Sequence, residues 1–248
     1  MPARPTDGPS PTDALTMSAA SVPPLRIGML VYPMMTLLDL AGPQAALGMH
    51  GETYLVWKDR EPVPTDSGVT IVPTHTFGDC PDDLDVLFAP GGFGTAQWME
   101  DEAVIGFLRE RGRTARYVTS VCSGALLLAA AKLLDGYRAA THWKAHDALA
   151  AMGVHAVRNR VVHDRNRMTG GGVTAGIDFG LTLLAELRGE MVAKTTQLAM
   201  EYDPKPPFRS GTPETAEPDV LNVFEAMTAG MGEETAAVVS RINQKRAA

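Results

Sequence analysis

The chain has 248 residues, a length that suits one large domain with a substantial core. Its net charge of −7 and the absence of any basic stripe argue against nucleic acid as the main partner, and no apolar run approaches the length of a transmembrane helix. Cys80 and Cys122 are the two cysteines, too few for a disulfide scaffold or a cysteine-based zinc site, and a free reactive thiol points to a reducing compartment, the cytoplasm. Residues 1–24 hold six prolines among Ser, Thr and Asp, with no run fit for a signal peptide, and are expected to be a disordered lead-in.

The predicted elements then alternate. Residues 26–32 read as a central strand buried on both faces, ended by Pro33. A helix is expected from Gly42-Pro43 through Met49, with proline at a tolerated early position. Residues 53–57 are a second strand, and residues 62–73 a hairpin around Asp66-Ser67-Gly68. Residues 85–89 form a strand stopped by Pro90-Gly91-Gly92, and residues 101–111 a helix. Residues 117–121 are β-branched and aromatic, and residues 124–134 are rich in Ala and Leu, so a strand turns into a buried helix there. Further on come a helix over 141–152, two short strands within 161–169 around Asp164-Arg165-Asn166, and a long helix over 175–187. This alternation predicts an α/β domain with a mainly parallel sheet. Residues 203–218 hold five prolines and read as an extended arm, with helices plausible over 219–246.

Cys122 falls at the join between the strand and the Ala-rich helix, followed by the small residues Ser123, Gly124 and Ala125. That is the layout of a nucleophile elbow, where a tight turn exposes the reactive atom. The helix start behind it is expected to favour the thiolate. Cys80, in a Gly-Asp-Cys-Pro turn with no strand leading in, reads as a small hydrophobe. Asp39, alone among leucines, has two readings: an N-terminal cap, or a carboxyl in an apolar pocket facing the thiol, its pKa raised so that it holds a proton to donate. Glycine-rich loops at 90–94 and 169–174 stand at strand ends, where ligands bind in open α/β sheets, and Gly91, Gly92, Gly171 and Val173 are expected to meet substrate or a developing oxyanion. His142 and His146 have the spacing of a helical metal pair, but no third ligand is evident, and no metal is expected. Asp178, at the start of the last sheet helix, reads as a capping or dipole-stabilising carboxylate.

These residues resemble the ThiJ/PfpI superfamily. Leu38-Asp39-Leu40-Ala41-Gly42-Pro43, Pro90-Gly91-Gly92, Thr119-Ser120-Val121-Cys122-Ser123-Gly124, Ala140-Thr141-His142-Trp143 and residues 169–179 are similar to its isonitrile (isocyanide) hydratase branch, as are residues 201–208. The resemblance implies a flavodoxin-like three-layer sandwich over 25–202 carrying a cysteine elbow, followed by the arm and helices of 203–248. It implies hydration of an isocyanide to an N-substituted formamide through a covalent thioimidate on Cys122, with Asp39 delivering the proton, Ser123 assisting and no cofactor. It also points to a homodimer. Intracellular proteases and many glyoxalase-like members carry His directly after the nucleophile, where this chain has Ser123. The alternatives left by the resemblance are a free-standing redox or ligand sensor and a glyoxalase or deglycase. Regulators sharing these motifs append two helix-turn-helix units, for which the residues after Phe208 leave no room.

Overall fold

β1, Leu25–Leu30, is the centre of the sheet, and every residue in it but Arg26 is buried. The computed structural model describes residues 23–247; of the lead-in expected over 1–24, residues 1–22 lie outside the described residues. β2 (Gly51–Trp57), β5 (His75–Thr76), β6 (Val86–Ala89), β7 (Tyr117–Val121), β10 (Val161–Asp164) and β11 (Arg167–Gly170) complete seven strands in the order β10-β11-β7-β6-β1-β2-β5. All pairings are parallel except β10 with β11, the hairpin expected around Asp164-Arg165-Asn166. β6 and β11 are buried at every position, because helices cover both faces. α1 (Leu37–Leu47) packs on α6 (Ala175–Arg188) over one side, while α3 (Glu102–Gly112) and α4 (Gly124–Ala130) pack together over the other. Tyr32, Phe88, Phe179, Ile27 and Met29 are fully buried between these layers. Each such side chain contributes about 2 kcal/mol of burial free energy.

The hairpin expected over 62–73 is present as β3 (Val63–Pro64) against β4 (Thr70–Ile71). α2 (Thr95–Trp98) is a single turn after the 90–94 loop, and β8 (Arg138–Ala139) pairs with β9 (His155–Ala156). A 3-10 turn, Trp143–Ala145, leads into α5 (His146–Ala151), shorter than the helix expected from residue 141.

Two further boundaries differ from expectation. α1 starts at Leu37, not at Gly42, and Pro43 sits inside it. Asp66 of the β3–β4 hairpin accepts from the Leu37 N–H at 3.2 Å, so a distant carboxylate starts the helix. Pro43 lacks the N–H that would have met the Asp39 carbonyl one turn back. α4 stops at Ala130 rather than continuing to residue 134, because Lys132 turns left-handed at φ 61°. α7 (Glu190–Ala199) had no counterpart in the sequence reading, and Gly189 at φ 91° separates it from α6.

The arm leads to one helix, α8, Pro218–Ala247. It folds back over α2 and α5. Its own Val238, Val239 and Ile242 are buried against the domain, and its Arg241 and Lys245 both reach Glu100, at 2.6 Å and 3.0 Å. Asn243 and Arg246 donate to the carbonyls of Ala151 and Ala129.

Candidate active site

The ends of β1, β6, β7 and β11 converge on Cys122. Its backbone is left-handed at φ 58°, the strained elbow expected from the strand-to-helix junction. Three bonds hold it there. The Cys122 N–H donates to the Gly171 carbonyl at 2.7 Å and more weakly to Gly170, and Thr141 Oγ1 donates to the Cys122 carbonyl at 2.8 Å. Small residues make the turn possible: a Cβ on Gly124 would run into the Ala89 carbonyl, and one on Gly91 would lie 2.5 Å from the Ser123 nitrogen.

Asp39 is fully buried in the first turns of α1. It does not cap its helix. Its Oδ2 accepts from the Gly91 N–H at 2.8 Å, and Oδ1 has no hydrogen-bond partner, leaving that oxygen for the thiol or a substrate atom. Burial raises the Asp39 pKa to about 7, as the apolar-pocket reading anticipated, while the Gly91 amide and the Cys122 thiol draw it partly back.

The thiolate expectation is corrected. Burial, followed by the neighbouring Asp39 carboxylate, pushes the Cys122 thiol well above its ordinary value, and the amide and hydroxyl of Ser123 offset this only in part. The elbow helix is only seven residues long, and burial of the turn is the largest influence on the thiol. Thiol and carboxyl therefore act as one coupled pair.

The glycine loops serve differently from the oxyanion role expected of them. The Gly91 N–H is committed to Asp39, the Gly92 N–H to Ser123 Oγ at 3.0 Å, and the Gly171 N–H to the Arg160 carbonyl at 2.8 Å. They place the reactive side chains. Of the four residues expected to meet substrate or an oxyanion, Gly92 and Val173 line the cavity and Gly91 and Gly171 do not.

Cys122 and Ser123 open into a cavity of about 1010 Å³. Phe93, Leu126, Ala148, Val173, Met231 and Val239 give it largely apolar walls, and α8 forms one whole side. The sequence offered no sign that residues beyond 218 would wall the site. It also offered no sign of Thr95 and Tyr32, whose hydroxyls stand behind Ser123.

His142 lines the cavity, with burial holding its pKa down and its Nδ1 accepting from the Lys144 N–H. His146 Nε2 is buried without a partner, and among the described residues no cluster of three potential metal ligands includes either histidine. Cys80 is buried in the core, as read from its turn. Asp178 stands in the first turn of α6, where its Oδ2 also accepts from Arg160 at 2.7 Å and from Tyr202 at 2.9 Å, tying the start of the arm to the sheet.

Comparison with known proteins agrees with this geometry. An isonitrile hydratase from Pseudomonas putida is 50% identical over 200 residues, spanning 80% of this chain and 87% of that protein. The crystal structure of a ThiJ/PfpI family protein from Pseudomonas syringae superposes with a TM-score of 0.86 at 46% identity, covering 96% of this chain and 97% of the other. The transcriptional regulator GbdR of Pseudomonas aeruginosa is 32% identical over 207 residues, and this chain spans only 55% of its length. Residues 25–186 match the DJ-1/PfpI family, and with the elbow, the sheet order and these relatives in place, the chain belongs to that family.

Proposed function

We propose that this protein is an isonitrile hydratase, a cysteine-dependent lyase that adds water to an isocyanide and releases an N-substituted formamide. The observation that carries the reading is the half-identical relative of that activity, matched over most of both chains. The buried thiol–carboxyl pair supports it chemically, because an isocyanide's terminal carbon must gain a nucleophile and a proton together.

In this reading the pair reacts with one proton between them. Asp39 takes the Cys122 proton, the sulfur bonds to the terminal carbon, and Asp39 returns that proton to the same carbon, giving the thioimidate R–N=CH–S. Water then adds to the carbon with Asp39 as base. The C–S bond breaks as one water proton reaches nitrogen and the other returns to sulfur, leaving R–NH–CHO and the free thiol. The apolar cavity suits a carbon-rich R group. Residues 25–202 supply the reacting groups and part of the cavity wall, and α8 supplies the rest of that wall.

The net charge of −7 and the free thiols support a cytoplasmic protein that does not bind nucleic acid; no described helix is long and apolar enough to cross a membrane. The exposed apolar face of α8 supports a homodimer.

A panel of alkyl and aryl isocyanides, with methylglyoxal alongside, tests the activity by mass spectrometry of the products. Formamide from the isocyanides and no lactate from methylglyoxal is the expected result. Methylglyoxal consumption with inert isocyanides would hand the site to glyoxalase chemistry.

A further inference from the structure

Three hydroxyls stand in line behind the nucleophile. Tyr32 OH lies 3.1 Å from Thr95 Oγ1, and Thr95 Oγ1 lies 2.8 Å from Ser123 Oγ. Tyr32 and Thr95 are both buried, while Ser123 opens into the cavity beside Cys122. Each hydroxyl has one proton to give, so the acceptors around them limit how those protons are arranged.

In the first arrangement every proton points away from the cavity. Tyr32 donates to the Pro90 carbonyl at 2.9 Å, Thr95 to the Gly92 carbonyl at 2.7 Å, and Ser123 to Thr95. In the second, Thr95 rotates its O–H onto Ser123 Oγ, and the Ser123 proton is released toward the sulfur. This change leaves no buried group without a partner, which is the usual cost of such a rotation. The Gly92 carbonyl still accepts from the Thr95 backbone N–H at 3.1 Å. Ser123 Oγ stays fixed by the Gly92 N–H at 3.0 Å and accepts from Thr95 with its second lone pair. Tyr32 keeps Pro90 in either case.

We propose that Thr95 is a positioning residue for the reaction: by turning its hydroxyl from Gly92 to Ser123, it aims the Ser123 proton at the Cys122 sulfur when negative charge develops there. The inference rests on Cys122 and Ser123 being the reacting site, and it holds for any electrophile the thiol attacks. Tyr32 backs Thr95 from the end of β1, and its own proton is held firmly, since burial raises its pKa well above the usual phenol value. The titratable groups nearest the sulfur are Asp39 from α1 and Tyr32; His142, Lys144, Asp147 of α5, Asp66 of the β3–β4 hairpin and Glu234 of α8 line the same cavity.

The test pairs Thr95→Val with Ser123→Ala, singly and together, in the full chain. Two readouts are followed: isocyanide hydration, and the pH profile of iodoacetamide alkylation at the Cys122 peptide. Thr95→Val lowers kcat about tenfold with KM within about twofold, and moves the alkylation profile up by about one pH unit. Thr95→Ser restores both. In the Ser123→Ala background, Thr95→Val changes neither by more than about twofold, because the hydroxyl it acts through is gone. Equal losses with and without Ser123, or no shift in the alkylation profile, overturn the proposal. If Thr95→Val misfolds, Thr95→Ala removes the hydroxyl without adding bulk and is read the same way. A shifted alkylation profile in a protein that turns over no isocyanide keeps the Thr95 role and rejects the substrate reading.

Discussion

At the residue scale, the Asp39–Cys122 pair links activity to stability. The folded protein holds the Asp39 pKa near 7, above the 3.8 of an ordinary aspartate. A raised carboxyl binds more protons folded than unfolded, so its effect is neutral below the unfolded value and increasingly destabilising as pH rises to the folded one. The full penalty above pH 7 is about 4 kcal/mol. The same deprotonation leaves the pair with the single proton that thiol addition needs, so hydration should rise with pH through about 7. Asp39→Asn removes both effects. Its melting temperature should exceed that of the wild type by a margin that grows from pH 4 to pH 8, while turnover falls at least about a hundredfold for loss of the acid–base group. Cys122→Ala should abolish turnover and stay folded. Equal melting curves for wild type and Asp39→Asn at pH 8 would show that the carboxyl is not held at high pKa. Sequence showed much of this pair: an acid among leucines and a cysteine at a strand end are local patterns. The thiol's direction of shift was misread because desolvation depends on how completely the layers around the sheet close over the turn, which no local pattern reports. The Thr95 and Tyr32 hydroxyls were illegible for the same reason, being 63 residues apart and joined only by the fold.

At the scale of elements, the elbow depends on the close approach of α4 to the end of β6. Gly124→Ala places a methyl against the Ala89 carbonyl, a backbone atom that cannot swing aside. We expect a loss of about 3 kcal/mol in urea unfolding, with the surviving folded fraction nearly inactive because Cys122 shifts with its helix. A stability change under about 0.5 kcal/mol would mean the junction has slack that its geometry does not suggest. The elbow was readable because its composition changes abruptly, from Tyr117-Val118-Thr119 to Gly124-Ala125-Leu126. The start of α1 was not, because its first amide is satisfied by Asp66 from a separate hairpin. α4 ends early through a left-handed Lys132, a conformation that its Ala- and Leu-rich sequence does not announce.

At the scale of the whole molecule, the long C-terminal helix has two dissimilar halves. The second buries Val238, Val239 and Ile242; the first leaves Val220, Val223 and Met227 half exposed or more, at helical spacing. An apolar stripe of that kind is covered in a stable assembly. Light scattering should give twice the 26.4 kDa of one chain, and Met227→Asp should shift it toward the single-chain mass. A wild-type mass of 26.4 kDa would leave the stripe facing solvent and reject the dimer. The 30 residues of α8 supply a wall of the cavity but neither the thiol nor its carboxyl partner. Inheritance can therefore act on the two separately. Substitutions accumulating along this one helix would redraw the outline of what is admitted while the reacting atoms stay as they are, so divergence in diet among descendants of such a protein should be written mainly in its last helix, and chimeras exchanging only that segment should carry substrate preference with them.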